Sequence, residues 1–195
     1  MPDYEFTFEI PRVSDEIEDR LAEGLDATVA AHGSVVTTTV LTDGPDAITA
    51  ARSAIETLSS LGAPPLRLVD DLVTRTQIAE RVGVSRQAVG NWITGLRNTS
   101  VRFPPAFILT AGGLWRWDEV LVAVRRMGFP VADDDVAYPT RRDSQIIGGM
   151  IAARNTPAST VLARATLEDL FITGRMAAGV TRVRAPRDID FELAA

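Results

Sequence analysis

Within a few residues of one another the chain places Ser85, Arg86, Gln87, Gly90 and Asn91, interleaved with the apolar Val89 and Trp92. These are hydrogen-bonding groups rather than bond-making ones. A guanidinium can donate twice to guanine O6 and N7, and a carboxamide can pair with adenine N6 and N7. A serine at a helix start caps it and leaves backbone N–H groups for a phosphate. The competing interpretation of Gln87 and Asn91 is ordinary solvated surface. Catalytic chemistry has no comparable support. The chain has no cysteine and one histidine, His32, in an expected turn, so thiolate metal sites, cysteine nucleophiles and a Ser-His-Asp arrangement are not indicated. Gly112-Gly113 and Gly148-Gly149 lack the flanks of a phosphate-cradling loop. Asp133-Asp134-Asp135 reads as a solvated linker before it reads as a cation site. The expectation is therefore no catalytic residue, no metal and no cofactor.

The elements that must hold the polar cluster are short and well punctuated. Thr74 and Gln77 form a capping-box pattern opening a helix over about 75–82. Gly83 supplies a positive φ for a tight turn. Ser85 is placed to cap a second helix over about 86–94, which Gly95 ends. Ala79, Gly83 and Val89 stand at the three spacings of a helix-turn-helix: a small residue for close packing, a turn glycine, and an apolar contact back to the first helix. With Val89, Trp92 and Ile93 turned inward, Ser85, Arg86, Gln87, Gly90 and Asn91 form the outer face. Gln77 has two competing roles, helix cap and phosphate contact, and Arg97 follows the second helix as a further cationic candidate.

Downstream, Phe107–Leu109 and Leu114–Trp117 flank Ala111-Gly112-Gly113, a hairpin signal that would make a wing. Strand alternation would put Arg116 opposite Trp115 and Trp117, as a phosphate or minor-groove contact beside two core tryptophans. Asp118 is expected to cap a third helix, Glu119–Met127.

Charge is distributed in the same sense. Residues 1–66 carry 3 Arg and 12 Asp/Glu, residues 67–126 carry 9 Arg and 5 Asp/Glu, and residues 127–195 carry 8 Arg and 9 Asp/Glu. The net −6 chain thus has its positive region confined to the polar cluster and its surroundings, which favours local docking on nucleic acid over general polyanion binding. Every basic residue is Arg, which suits bidentate contacts, although coding bias explains it most simply. The start, MPDYEFTFEIPR, lacks signal-peptide regions, and apolar runs such as IIGGMIAA are too short to span a bilayer. The expected setting is cytoplasmic and nucleoid-associated, without membrane.

Ahead of the cluster, Tyr4, Phe6, Phe8 and Ile10 alternate as in a half-buried strand. A helix capped by Ser14 follows over 15–24, then strands over 27–31 and 35–41 around His32-Gly33-Ser34, a helix over 46–61, and a strand over 66–69. The βαββαβ order suggests a ferredoxin-like sandwich. The fold class expected is therefore α+β: a ferredoxin-like domain over 1–69, a winged helix-turn-helix over 70–130, and a partly helical segment over 131–195. In the last, Gln145–Arg154 is a helix weakened by two glycines. Val161, Leu162, Leu167, Leu170, Phe171 and Ile172 suggest an amphipathic helix, and Arg182, Arg184 and Arg187 mark a flexible tail.

The run QIAERVGVSRQAV, then FPPAF, then GGLWRWDEV resembles the winged helix-turn-helix of the AlpA, excisionase and MerR-type family over residues 72–127. The resemblance implies a DNA-binding regulatory or architectural protein, commonly dimeric. The preceding α/β domain departs from MerR regulators, which begin with the motif and continue into a coiled coil. The leading expectation is a sequence-specific binder of double-stranded DNA acting as a homodimeric transcriptional regulator. The alternatives are an antitoxin-like protein gripping a partner through residues 1–69 or 140–195, an excisionase-like DNA-bending factor, and an interaction module that does not touch DNA.

Overall fold

The structure, a computed structural model, describes residues 1–95, 101–131 and 135–156. It is a mixed α+β protein in which residues 1–155 form one compact unit. No helix among the described residues is long and apolar enough to cross a membrane.

The first half is organised by one alternating strand. In β1 (Asp3–Ile10), Phe6, Phe8 and Ile10 are buried while the intervening residues are half-exposed. After α1 (Asp15–Gly24), β2 (Asp26–His32) and β3 (Val35–Asp43) form a hairpin, followed by α2 (Ala47–Ser60) and β4 (Arg67–Val69). The sheet order is β2-β3-β1-β4, each neighbouring pair antiparallel. Val36 and Val40 of β3 join the phenylalanines on one face, where Leu21 of α1 and Ala50, Ala51, Ala54, Ile55 and Leu58 of α2 cover them. The alanines let α2 lie close to the sheet, and each buried phenylalanine contributes about 1.5–3 kcal/mol. Asp46 caps α2 by accepting from Thr49 N at 2.8 Å. Ser14 stands at the N-cap of α1 but makes no side-chain cap, contrary to expectation.

The segment following the polar cluster returns to this sheet. Val136 and Ala137, as β7, pair in parallel with Asp3 and Tyr4 of β1, on the edge that β4 also uses. Then α6 (Arg141–Asn155) puts Ile147 and Ile151 into the same core. Thr140 and Asp143 cap each other at its start, and Asn155 Nδ2 donates to Pro65 O at 2.9 Å. The expected weak helix is thus an integral layer, because burial of two isoleucines outweighs the low propensity of Gly148 and Gly149. Asp133 and Asp134 of the expected linker lie outside the described residues. The expected helix over 161–172 and the arginines at 182, 184 and 187 lie outside the described residues.

A second core serves α3 (Arg75–Val82), α4 (Arg86–Thr94) and α5 (Trp117–Arg126), built on Ile78, Val82, Val89, Trp92, Phe103, Trp115, Trp117, Val120 and Val124. The expected wing is mostly absent. Ile108 and Leu114 make one isolated bridge around a 3-10 turn at Thr110–Gly112. Trp115 and Arg116, as β6, pair instead with Val73 and Leu72 of β5 (Leu72–Val73). The third helix begins at Trp117, so Asp118 lies inside its first turn rather than capping it. Gly113 (φ 97°) makes the turn possible, since a Cβ there would sit 2.5 Å from the Trp115 ring.

Candidate nucleic-acid interface

Local sequence dictates how the polar cluster is presented. Thr74 Oγ1 accepts from Gln77 N at 3.3 Å, and Gln77 Oε1 accepts from Thr74 N at 2.8 Å, a reciprocal cap on α3. The helix ends at Gly83 in the left-handed conformation (φ 72°), with Val84 N donating to Ala79 O at 2.9 Å. Two residues later Ser85 Oγ accepts from Ala88 N at 3.2 Å and starts α4. Both helix boundaries are set by contacts within a few residues, which is why the sequence displayed them.

The inner side of α4 is fixed by aromatic packing. Val89 is fully buried; Trp92 stands 6.1 Å from Phe103 and 5.0 Å from Phe129, and Phe103 meets Trp115 at 6.5 Å. Trp115 Nε1 donates to Pro104 O at 3.2 Å, which ties the FPP loop to this cluster. On the outer side Ser85, Arg86 and Gln87 are exposed, and Gly90 and Asn91, one turn on, are half-buried. Four of the candidate residues therefore share one helix, with Ser85 at its N-cap. Gln77 is exposed on α3, with its carboxamide oxygen committed to capping. Arg97 lies outside the described residues.

Arg116 does not belong to this surface. Its side chain is 4% exposed and donates to Asp118 Oδ1 (2.9 Å), Asp70 Oδ1 (2.5 Å), Pro139 O (3.1 Å) and Ser144 Oγ (3.1 Å). It joins the linker after β4, the start of α5, the segment before α6 and α6 itself. Strand alternation misplaced it because β6 is only two residues long and turns directly into α5, so Trp115, Arg116 and Trp117 are all buried. Burial pushes the Asp118 carboxyl above its usual range, and the adjacent Arg116 guanidinium partly offsets this.

Other arginines are also engaged. Arg67 pairs with Glu9; Arg81 pairs with Asp71 through two contacts and lies over the Trp117 ring. Arg102, outside the residues named from sequence, is exposed, makes no ion pair among the described residues, and borders a cleft shared with Thr94 and Gly95 at the end of α4. Its place immediately before the Phe103-Pro104-Pro105 anchor was the available signal. No group of three or more His, Asp or Glu suited to a metal occurs among the described residues. Comparison with protein-family models, curated proteins and solved structures finds no match.

Proposed function

We propose that the chain is a sequence-specific binder of double-stranded DNA, with α4 as the reading helix, acting as a dimeric transcriptional regulator in the cytoplasm. The observation that carries the reading is the division of α4. One side is locked by Val89, Trp92 and the aromatic cluster, and the other offers Ser85, Arg86 and Gln87 to solvent at the helix start. A rigid helix with donors at its N-terminal end is what major-groove readout requires. On this reading α3 and α4 are a helix-turn-helix of the AlpA, excisionase and MerR type, with the 103–114 loop as an abbreviated wing. The β2-β3-β1-β4 order with helices on one face supports a ferredoxin-like N-terminal unit.

The test is selection of bound duplexes from a random library with the purified chain, followed by affinity measurements on the selected site. Arg86→Ala and Gln87→Ala should each weaken that site by about 1–3 kcal/mol and random DNA far less. Equal losses on both would remove α4 from the groove.

A further inference from the structure

We infer that two copies of the chain join edge to edge through β2, antiparallel and centred on Val29. The inference deepens the dimeric reading above, but it rests on a separate feature, the free edge of the sheet. Over seven residues β2 pairs one-to-one with β3, and its other edge meets no strand among the described residues. Exposed edges are normally blunted by proline, lysine, a bulge or a very short strand. Asp-Ala-Thr-Val-Ala-Ala-His has no proline, lysine or bulge, its one carboxylate stands at the end of the strand, and its register with β3 is uninterrupted.

The strand is also complementary to itself. A two-fold axis at Val29 places Asp26 opposite His32, Ala27 opposite Ala31, Thr28 opposite Ala30, and Val29 opposite its own copy. Centring on Thr28 would set His32 against Gly24, the last residue of α1, and centring on Ala30 would set Asp26 against Ser34 in the hairpin turn. Of these registers only that on Val29 keeps every facing residue within Asp26–His32 and matches a carboxylate with an imidazole at both ends, with the Ala27 N–H, which donates to Leu25 O at 2.9 Å, having to be released. Because Ala27, Val29 and Ala31 pair with Val40, Thr38 and Val36, they lie on the helix-covered face. The axis therefore continues the apolar layer, while the acid–histidine pairs fall on the opposite face. The neighbouring α1 exposes Asp15, Glu16, Glu18, Asp19 and Glu23, so joining two edges gathers like charge. Association should tighten as salt rises, the opposite of DNA binding.

Since the chain has no cysteine, Val29→Cys introduces a lone thiol. Facing residues of an antiparallel pair have Cα atoms about 4.5–5.5 Å apart, within disulfide reach, whereas diagonal positions are about 7–8 Å apart. Under mild oxidation full-length V29C should form a covalent dimer. T28C and A30C should do so only when mixed together. Asp26→Arg should raise the dimer dissociation constant at least about tenfold, and Asp26→Arg with His32→Asp should restore it, as read by sedimentation with circular dichroism to check folding. A wild-type chain monomeric at high concentration, a dimer in which V29C does not cross-link, or homodimers of T28C and A30C without V29C would each overturn the inference. Cross-linking as expected in a chain that selects no duplex would leave the β2 pairing standing and reject the DNA reading instead.

Discussion

Replacing Arg116 by Met should destabilise the fold without altering DNA specificity. The guanidinium is 4% exposed; Asp118 and Asp70 retain side-chain exposures of 14% and 31%. Removing one partner of a buried ion pair typically costs about 3–5 kcal/mol, because the other charge is left desolvated. Asp70 can recover much of its hydration, so the lower end applies, about 3 kcal/mol. With a urea slope of about 2 kcal/mol/M the unfolding midpoint falls by roughly 1.5 M. The loss should depend on pH. Burial already holds the Asp118 carboxyl above its ordinary range, and Arg116 opposes that, so R116M pushes it higher. A carboxyl raised in the folded state contributes stability below its unfolded value, about 3.9, and loses it as pH rises through the folded value. The deficit of R116M is therefore largest near neutral pH and shrinks towards pH 4, and R116M with Asp118→Asn should recover part of it at pH 7. A midpoint unchanged by R116M, or a deficit independent of pH, would refute the account. So would a change in the ratio of specific to random DNA binding once folding is matched.

Gly90→Ala separates stability from recognition: a Cβ there meets nothing within 4 Å, so α4 should gain about 1 kcal/mol in urea unfolding while affinity for the selected DNA falls, because the methyl stands on the face proposed to read DNA. Gly113→Ala should lose about 1–3 kcal/mol, from its positive φ and the Trp115 ring beneath it, and show altered tryptophan fluorescence. Ile147→Ala should cost about 2–5 kcal/mol in the same assay, against gains of about 1 kcal/mol for Gly148→Ala or Gly149→Ala, whose added methyls meet nothing. Thr74→Ala should cost about 1 kcal/mol by removing the α3 cap, with specificity preserved.

What the sequence displayed, and what it hid, divides by the range of the deciding contact. The ends of α3 and α4 rest on Thr74 with Gln77, Gly83, and Ser85 with Ala88, all within a few residues, and the residue types announce them. Phe6, Phe8 and Ile10 likewise reveal β1 through its period of two. Arg116 was misread because its partners Asp70 and Ser144 are 46 and 28 positions away, and a polar residue in a strand-like run is by default assigned to solvent. The same applies to α6. Two adjacent glycines argue locally against a helix, and only the distant β4 and α2, against which Ile147 and Ile151 pack, override them. The hairpin over 107–117 is reduced to the Ile108–Leu114 bridge because Trp115 pairs back to Val73 rather than to the nearer strand. Turn glycines mark where a chain bends, not which strand it then joins.

That division changes how the charge pattern should be understood. Nine arginines against five acidic residues between 67 and 126 suggested a local positive patch, yet Arg67, Arg81 and Arg116 are engaged by Glu9, Asp71, Asp70 and Asp118. Arg75 lies over Trp115, and among the described residues Arg86, Arg102 and Arg126 are exposed without an ion pair. If Arg102 and Arg126 meet phosphates while Arg86 reads a base, the salt slope for one protomer is only about −1.8, so a fourfold change in salt alters affinity roughly twelvefold. One short helix reading a few base pairs adds limited discrimination. On the proposed reading, two protomers on a symmetric site would double both contributions, with association carried by β2 and DNA contact by α4. A weakly charged DNA-contacting helix would, on that same reading, gain from a second copy, and the β2 pairing inferred above is one way to supply it.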